Sequence, residues 1–363
     1  MADKVGYAGW IGHNNIGDEA LLMANRDLFR DIDFIDFRYW SGYDSVLLGG
    51  GTILPQFLVG GEPSLREDTP FTAAIGIGIR SPTFWNQQLA TIDVRYLAGK
   101  AGVSGLLRNR YVEYLLKPAE QIFPDTITTG YYFSDEDYHA IRKFDFDYLG
   151  VRGPLSRELL STYDISCEVV GDTALVLQPS SAEIETEKKI AVCLQHDKLK
   201  WAKNEGYLHH VVDFLSELPS DYRIVFLPFQ KEDISMHIDL SNNLDNAEFK
   251  NYCSPMDVQG VIDEIASCEF MLGEKLHANI LSACSYTPFI SLEYRPKCLD
   301  FAASVDMAEY NIRIDDVTKN ELEVAYDDLT DNQSVINQLQ SEVEAKRESI
   351  RQFAQQIDAE IHD

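Results

Sequence analysis

Basic residues are scarce in this chain. Its 363 residues include 31 Lys and Arg against 59 Asp and Glu, a formal net charge of −28. Nucleic acid and anionic lipid surfaces are bound by clustered Lys and Arg, so neither is an expected partner. The acids are scattered along the chain rather than gathered into a tail, which describes an acidic surface rather than an interaction segment. Such a surface repels itself at low ionic strength and is screened in concentrated salt. A halophilic source is therefore the expectation, with a merely acidic protein as the alternative. No C-x-x-C pair occurs among Cys167, Cys193, Cys253, Cys268, Cys284 and Cys298. Several lie in apolar runs such as Ile190-Ala191-Val192-Cys193-Leu194, the setting of small buried hydrophobes. No apolar run approaches the roughly 20 residues that span a bilayer. Met1-Ala2-Asp3-Lys4 lacks the charged-then-apolar pattern of a secretion signal. These absences point to a reducing cytoplasm. No His, Asp or Glu cluster has metal-ligand spacing, so no metal is expected. The dinucleotide fingerprint G-x-G-x-x-G is also missing.

Hydrophobic residues make up 45% of the chain and charged residues 25%, the composition of a globular protein. The length exceeds one ordinary core, so two domains are expected. Short apolar runs end at glycines: Val46-Leu47-Leu48 before Gly49-Gly50-Gly51, Ala73 to Ile79, Tyr148 to Val151, and Glu168-Val169-Val170 before Gly171. These read as buried parallel strands. Helical patterns over Gly17 to Phe29, Asn109 to Phe123 and Pro154 to Tyr163 alternate with them, which implies a doubly wound α/β sheet. The polar stretch Gln178 to Lys189 marks a domain boundary. The alternation then restarts, with strands over Lys189 to Leu194, Arg223 to Pro228, Phe270 to Leu272 and Pro288 to Leu292. Helices are expected over Gly206 to Leu218, from Ser254-Pro255 to about Cys268, and over Leu276 to Cys284; in the second, Ser254 caps and Pro255 takes the first helical position. The expected architecture is two tandem Rossmann-like domains, 1–180 and 188–330, with a ligand cleft between them. Val335, Leu339, Val343, Ile350, Phe353 and Ile357 recur at helical spacing in 331–363. That spacing predicts an amphipathic helix packed on the body, with a partner helix or coiled-coil dimer as the alternative.

Six constellations could carry chemistry. In Gly6 to Leu22 a strand meets a Gly/Asn loop and then a helix with Asp18 and Glu19 in its first turn. Asn15, Gly17, Asp18 and Glu19 could hold sugar hydroxyls at the free N–H groups there. The same residues could equally be a capped helix start. Gly49-Gly50-Gly51 admits close approach of a ligand or of another part of the chain. Arg152 follows a strand, and its planar fork suits a carboxylate or phosphate; a surface ion pair is the alternative. Asp172 follows the next strand, where it could cap a helix or bind substrate. Lys275 and His277 sit at a strand–helix junction beside the expected cleft, and His is a ready acid or base near neutral pH. Tyr294-Arg295-Pro296-Lys297 makes a further basic strand end.

In order, these segments resemble the polysaccharide pyruvyl transferases. The resemblance rests on G-x-x-N-x-G-D-E-A-L from Gly12, the triple glycine, V-R-G-P-L-S-R-E-L-L from Val151, V-V-G-D-x-A-L from Val169, Leu276-His277 and the late Y-R-P-K, and covers about residues 5 to 305. It implies a GT-B-like pair of domains and transfer of pyruvate from phosphoenolpyruvate onto a sugar, forming a ketal and releasing phosphate. No cofactor is implied beyond phosphoenolpyruvate as co-substrate. The implied acceptor is a cell-surface glycan or its lipid-linked precursor, which could bring the enzyme to a membrane peripherally; a homo-oligomer is left open. Carried over by motif, Arg152 and His277 are catalytic. Arg152, Lys275, His277 and Lys297 face the donor, and Asn15, Gly17, Asp18, Glu19, Gly50 and Asp172 face the acceptor. Lys275 stands where the family commonly has Arg, keeping the charge and losing the fork. The strong acidity is not a family trait. Two alternatives share the architecture: a GT-B nucleotide-sugar glycosyltransferase and a non-catalytic carbohydrate-binding protein.

Overall fold

The computed structural model describes residues 5–30, 32–36, 43, 45–55, 58, 71–82, 84, 135–196 and 206–362. The helix expected over Asn109 to Phe123 lies outside them. The first half contributes β1 (Val5–Gly9), α1 (Ile16–Leu28), β2 (Asp33–Asp36), β3 (Ser45–Gly49), β4 (Phe71–Ile77), α2 (Asp135–Phe144), β5 (Tyr148–Val151), α3 (Pro154–Ser161) and β6 (Glu168–Val169). The second contributes β7 (Glu187–Cys193), α4 (Tyr207–Ser216), β8 (Arg223–Phe226), α5 (Ile234–Asn242), β9 (Ala247–Phe249), α6 (Val258–Ala266), β10 (Cys268–Gly273), α7 (Leu276–Cys284), β11 (Phe289–Glu293), α8 (Lys297–Ser304) and β12 (Asn311–Arg313). Two helices follow, α9 (Lys319–Asp331) and α10 (Gln333–His362).

The strands form two parallel sheets, ordered β2-β1-β3-β4-β5-β6 and β12-β11-β10-β7-β8-β9. Every residue of β1, β3 and β11 is buried, as expected of parallel strands covered on both faces. In each sheet the chain starts on an inner strand, winds outward one way, then returns to wind the other way. The order therefore reverses between β1 and β3 and again between β7 and β10. Crevices open at such reversals, outside the carboxyl ends of the strands, and ligands bind there. The carboxyl ends of β1 and β10 lead into the first turns of α1 and α7, which carry Asp18 and His277.

The halves are joined by specific bonds. Ile16 N donates to Phe229 O at 3.0 Å. Ser156 donates from its N (3.0 Å) and Oγ (2.6 Å) to the Asp300 carboxylate. Arg347 of α10 is fully buried and donates to three carbonyls: Leu175 O at 2.7 Å, Leu177 O at 2.8 Å and Cys284 O at 2.7 Å. α10 buries Leu339, Val343, Ile350, Phe353, Ala354 and Ile357 alongside that arginine. Phe353 lies against β5, where a Cβ on Gly150 would come within 2.7 Å of its ring.

One expected helix start moves. Ser254 and Pro255 precede α6 in a turn rather than opening it; Asp257 is the cap, its side chain accepting from Gly260 N at 2.8 Å. A carboxylate that reaches the third helical N–H satisfies an otherwise orphaned donor. β7 also begins at Glu187, inside the polar run, because Lys189 is buried on Glu264 at 2.8 Å. The cysteines are free thiols, all buried except half-buried Cys167. No helix among the described residues is long and apolar enough to cross a membrane.

Candidate active site

The two reversal points meet at Gly17 and His277. Gly17 is the second residue of α1, and Asn15 caps that helix by accepting from Gly17 N at 3.0 Å. His277 is the second residue of α7. The contact is so close that a Cβ on Gly17 would lie 2.2 Å from His277 Nδ1. Glycine is needed here for proximity, since no larger residue leaves room for the ring. Burial pushes the His277 imidazole down to about 4, and the cations Arg152, Lys297 and Lys275 push the same way while Asp172 opposes them. The ring is thus neutral near pH 7. Its Nε2 is buried and has no hydrogen-bond partner among the described residues.

Arg152 follows β5 and is wholly buried. Its Nε donates to Asp172 Oδ2 at 2.8 Å and its Nη1 to Thr52 Oγ1 at 3.4 Å. Nη2 has no partner among the described residues. Gly78 lets the guanidinium in, for a Cβ there would stand 2.8 Å from Nη1. Asp172 is equally buried, and its other oxygen accepts from Ala174 N at 3.1 Å. It is therefore both a helix cap and the counter-charge that orients Arg152.

Asp18 is half-buried in the first turn of α1. Burial raises its carboxyl to about 7; Lys297 and Lys275 pull it down, while Glu19 and Asp172 add to the rise. Lys275 is buried, and its ammonium lies 2.9 Å from Asp233 Oδ2. Lys297 opens α8, with its ammonium over the Tyr294 ring at 4.9 Å. Burial lowers that amine to about 7, with Arg295 and Arg152 contributing. Glu19 accepts from Gly12 N at 3.0 Å and so braces the loop after β1. Gly50 adopts φ +63, and a Cβ there would strike Leu21 at 2.4 Å; its room is used by the core. At the rim, Trp10 is 41% exposed and stacks on His13 with ring centroids 4.0 Å apart.

A cavity of about 130 Å³ adjoins this cluster, lined by Thr52, Arg80 and Ser81 from the first half and Arg295, Pro296 and Lys297 from the second. Thr52 belongs to both regions, since it also contacts Arg152. Sequence reasoning passed over Arg80. It follows β4 as Arg152 follows β5, and the same rule, a rare arginine just beyond a strand end, would have found it. Arg295 stood inside a motif already singled out; its guanidinium lies 5.0 Å from the Tyr294 ring. Among the described residues no group of three or more His, Cys, Asp or Glu could hold a metal ion.

Two parallel sheets with a polar, partly cationic cleft at their reversal points define the class: an α/β, GT-B-like protein. Comparison with known proteins gives the family. The profile of the polysaccharide pyruvyl transferases matches residues 15–296, and the chain belongs to that family. Solved structures share the fold. The glycotransferase of kitacinnamycin superposes with a TM-score of 0.50 at 13% identity, covering 99% of both chains. The UDP-GlcNAc 2-epimerase of Methanocaldococcus jannaschii, in complex with UDP-GlcNAc and UDP, also gives 0.50 at 11% identity, covering 91% of this chain and 93% of its own. At such identities the likeness concerns architecture alone. No curated protein matches the sequence.

Proposed function

We propose that the protein transfers pyruvate from phosphoenolpyruvate onto two hydroxyls of a sugar in a glycan, forming a cyclic ketal and releasing phosphate. The observation that carries this reading is the meeting of a buried neutral histidine, a buried arginine with a donor to spare and a near-neutral carboxyl at one crevice. Family membership supplies the transferase class and a saccharide acceptor.

The chemistry allots roles. The methylene carbon of phosphoenolpyruvate must gain a proton, which leaves the adjacent carbon open to a hydroxyl oxygen. Asp18, poised near neutrality, suits that acid. His277 does not, because burial holds it neutral; it suits the base that accepts the hydroxyl proton. The first sugar oxygen bonds to the ketal carbon. The carbon–oxygen bond to phosphate then breaks, its electron pair leaving on phosphate, and the second sugar oxygen takes its place. The two hydroxyl protons balance the methyl proton gained and the proton on released hydrogen phosphate. Arg152 Nη2 is oriented to hold a carboxylate oxygen of the donor, and Asp172 fixes that orientation without meeting substrate. In this reading the substrates lie across the junction, with Asp18 and Arg152 of residues 1–180 on the donor and His277 of 188–330 on the acceptor hydroxyl. No further cofactor is required.

Incubation with phosphoenolpyruvate and a panel of oligosaccharides, read by mass spectrometry, tests the reading. A product heavier by the mass of pyruvic acid less one water is expected. Glycosyl transfer from a nucleotide sugar, with no such product, would contradict it.

A further inference from the structure

We propose that Asp300 is a positioning residue for the donor: it reaches from α8 across the junction, caps α3, and so fixes the spacing between Arg152 and Lys297. Asp300 lies outside every motif singled out in the sequence, and its role here rests on the pyruvyl transfer reading.

α3 starts without a cap of its own. Gly153 stands at the N-cap with no side chain to offer, and Pro154 follows at the first helical position. The remaining N–H groups of that first turn need an acceptor from elsewhere. Asp300 supplies it from the other half. Its Oδ1 accepts from Ser156 N at 3.0 Å, and its Oδ2 accepts from Ser156 Oγ at 2.6 Å. Both residues are buried. Gly153 is required by the same approach, since a Cβ there would lie 2.1 Å from Asp300 O.

The bonds stand beside both cations that the motifs carry to the donor. Ser156 is four residues after Arg152, and Asp300 is three after Lys297, one turn along α8. The link also continues past Ser156. Ile79 N donates to Ser156 Oγ at 3.2 Å, and the neighbouring Gly78 is the residue that admits the Arg152 guanidinium. Asp300 therefore braces the start of α3, which follows Arg152, and the segment that the guanidinium passes. Charge confirms that these groups share one region. Burial raises the Asp300 carboxyl, while the Ser156 donors and Arg152 oppose the rise. Burial lowers the Lys297 amine to about 7, with Arg295 and Arg152 contributing.

Phosphoenolpyruvate carries a carboxylate and a phosphate on one short frame, so its own bonds fix their separation. Two cations that hold it must match that separation. Arg152 follows β5 of the first sheet and Lys297 follows β11 of the second, so neither sheet alone sets the distance between them. The bonds from Ser156 to Asp300 do. A misplacement of about 1 Å in such a site costs up to about 10²-fold. Asp300 meets no substrate and moves no proton; it acts through the two cations.

The test is steady-state kinetics of Asp300→Asn and Ser156→Ala in the full chain, with calorimetric binding of phosphoenolpyruvate measured in the absence of acceptor. Each variant is expected to raise KM for phosphoenolpyruvate by about tenfold, the worth of one charge-assisted bond. KM for the oligosaccharide acceptor is expected to stay within about threefold, a split that a merely structural residue would not produce. The double variant is expected to be no weaker than the weaker single one, because both changes cut the same link. Ser156→Ala keeps the bond from Ser156 N and is the milder change, so it carries the test if melting curves show that Asp300→Asn unfolds. An unchanged KM for phosphoenolpyruvate in the folded variants, equal rises for both substrates, or additive losses in the double variant would overturn the role of Asp300. Phosphoenolpyruvate binding weakened in both variants, with no pyruvyl product from any acceptor, would uphold that role and sink the transfer reading. Pyruvyl product from wild type, with phosphoenolpyruvate binding intact in both variants, would do the reverse.

Discussion

At Gly17 a single hydrogen stands between the two halves. A methyl group there would lie 2.2 Å from His277 Nδ1, so Gly17→Ala must displace either α1 or the imidazole. Overpacking of this kind costs about 1–3 kcal/mol. The variant is expected to lose that much stability in urea unfolding, and about tenfold or more in kcat/KM as the imidazole proposed as the base shifts. The proton carriers set the pH response. Asp18, raised to about 7, acts as an acid only while protonated, and Lys297, lowered to about 7, is charged only below that value. His277, lowered to about 4, is a base only above that value. The kcat/KM profile should therefore fall through pH 7 on the basic side and through pH 4 on the acid side. Asp18→Asn is expected to lose about 10²-fold or more, the worth of a general acid. Activity of Asp18→Asn within about threefold of wild type would remove Asp18 from the role. The same groups act on stability. Burial lowers both His277 and His237 to about 4 from the ordinary 6.5, so the folded state binds fewer protons than the unfolded one between these values. Their contribution is fully present above pH 6.5 and is lost as pH falls through 4. The cap formed by Asn15 was legible in the sequence as the alternative to sugar binding, whereas the bond from Gly12 N to Glu19 was not. The commitment of Asp172 to Arg152 was not, because nothing in V-V-G-D says which cation folds back onto it.

Among the elements, α10 fastens the two halves. Arg347 spends its donors on Leu175, Leu177 and Cys284, the carbonyls around the passage from one half to the other. Arg347→Met would leave three buried acceptors without a donor, each worth about 1–3 kcal/mol. A loss of about 3 kcal/mol or more is expected in denaturant unfolding, and a loss below about 1 kcal/mol would show that water replaces the arginine. The elements legible beforehand were those with one dominant signal: buried β-branched runs such as Ile190 to Leu194, and α7, whose bounds Leu276–Cys284 agree with the sequence pattern. Short edge strands such as β9 and β12 carry three residues each, too few for any periodicity to register. The start of α6 was misplaced because Ser254-Pro255 and Asp257 offer competing caps, and only tertiary packing chooses between them.

For the whole molecule, the alternation of strands and helices was enough to imply two doubly wound sheets, since parallel strands need crossover helices and bury both faces. The cationic cavity was beyond the sequence. Arg80 and Arg295 come from different sheets and meet only when the halves close. A net charge of −28 predicts self-repulsion that salt screens over about 8–10 Å at 0.1–0.15 M. The melting temperature is therefore expected to rise from low to molar potassium chloride; a fall would exclude adaptation to concentrated salt. The central claim is that His277 serves pyruvyl transfer at the junction of the two sheets. It is tested most directly by phosphate release from phosphoenolpyruvate, measured with and without glycan acceptors for wild type and His277→Ala. Acceptor-dependent release by wild type, reduced about 10²-fold or more in His277→Ala while the melting curve holds, is the predicted result. Release that persists near the wild-type rate in the variant would contradict the account.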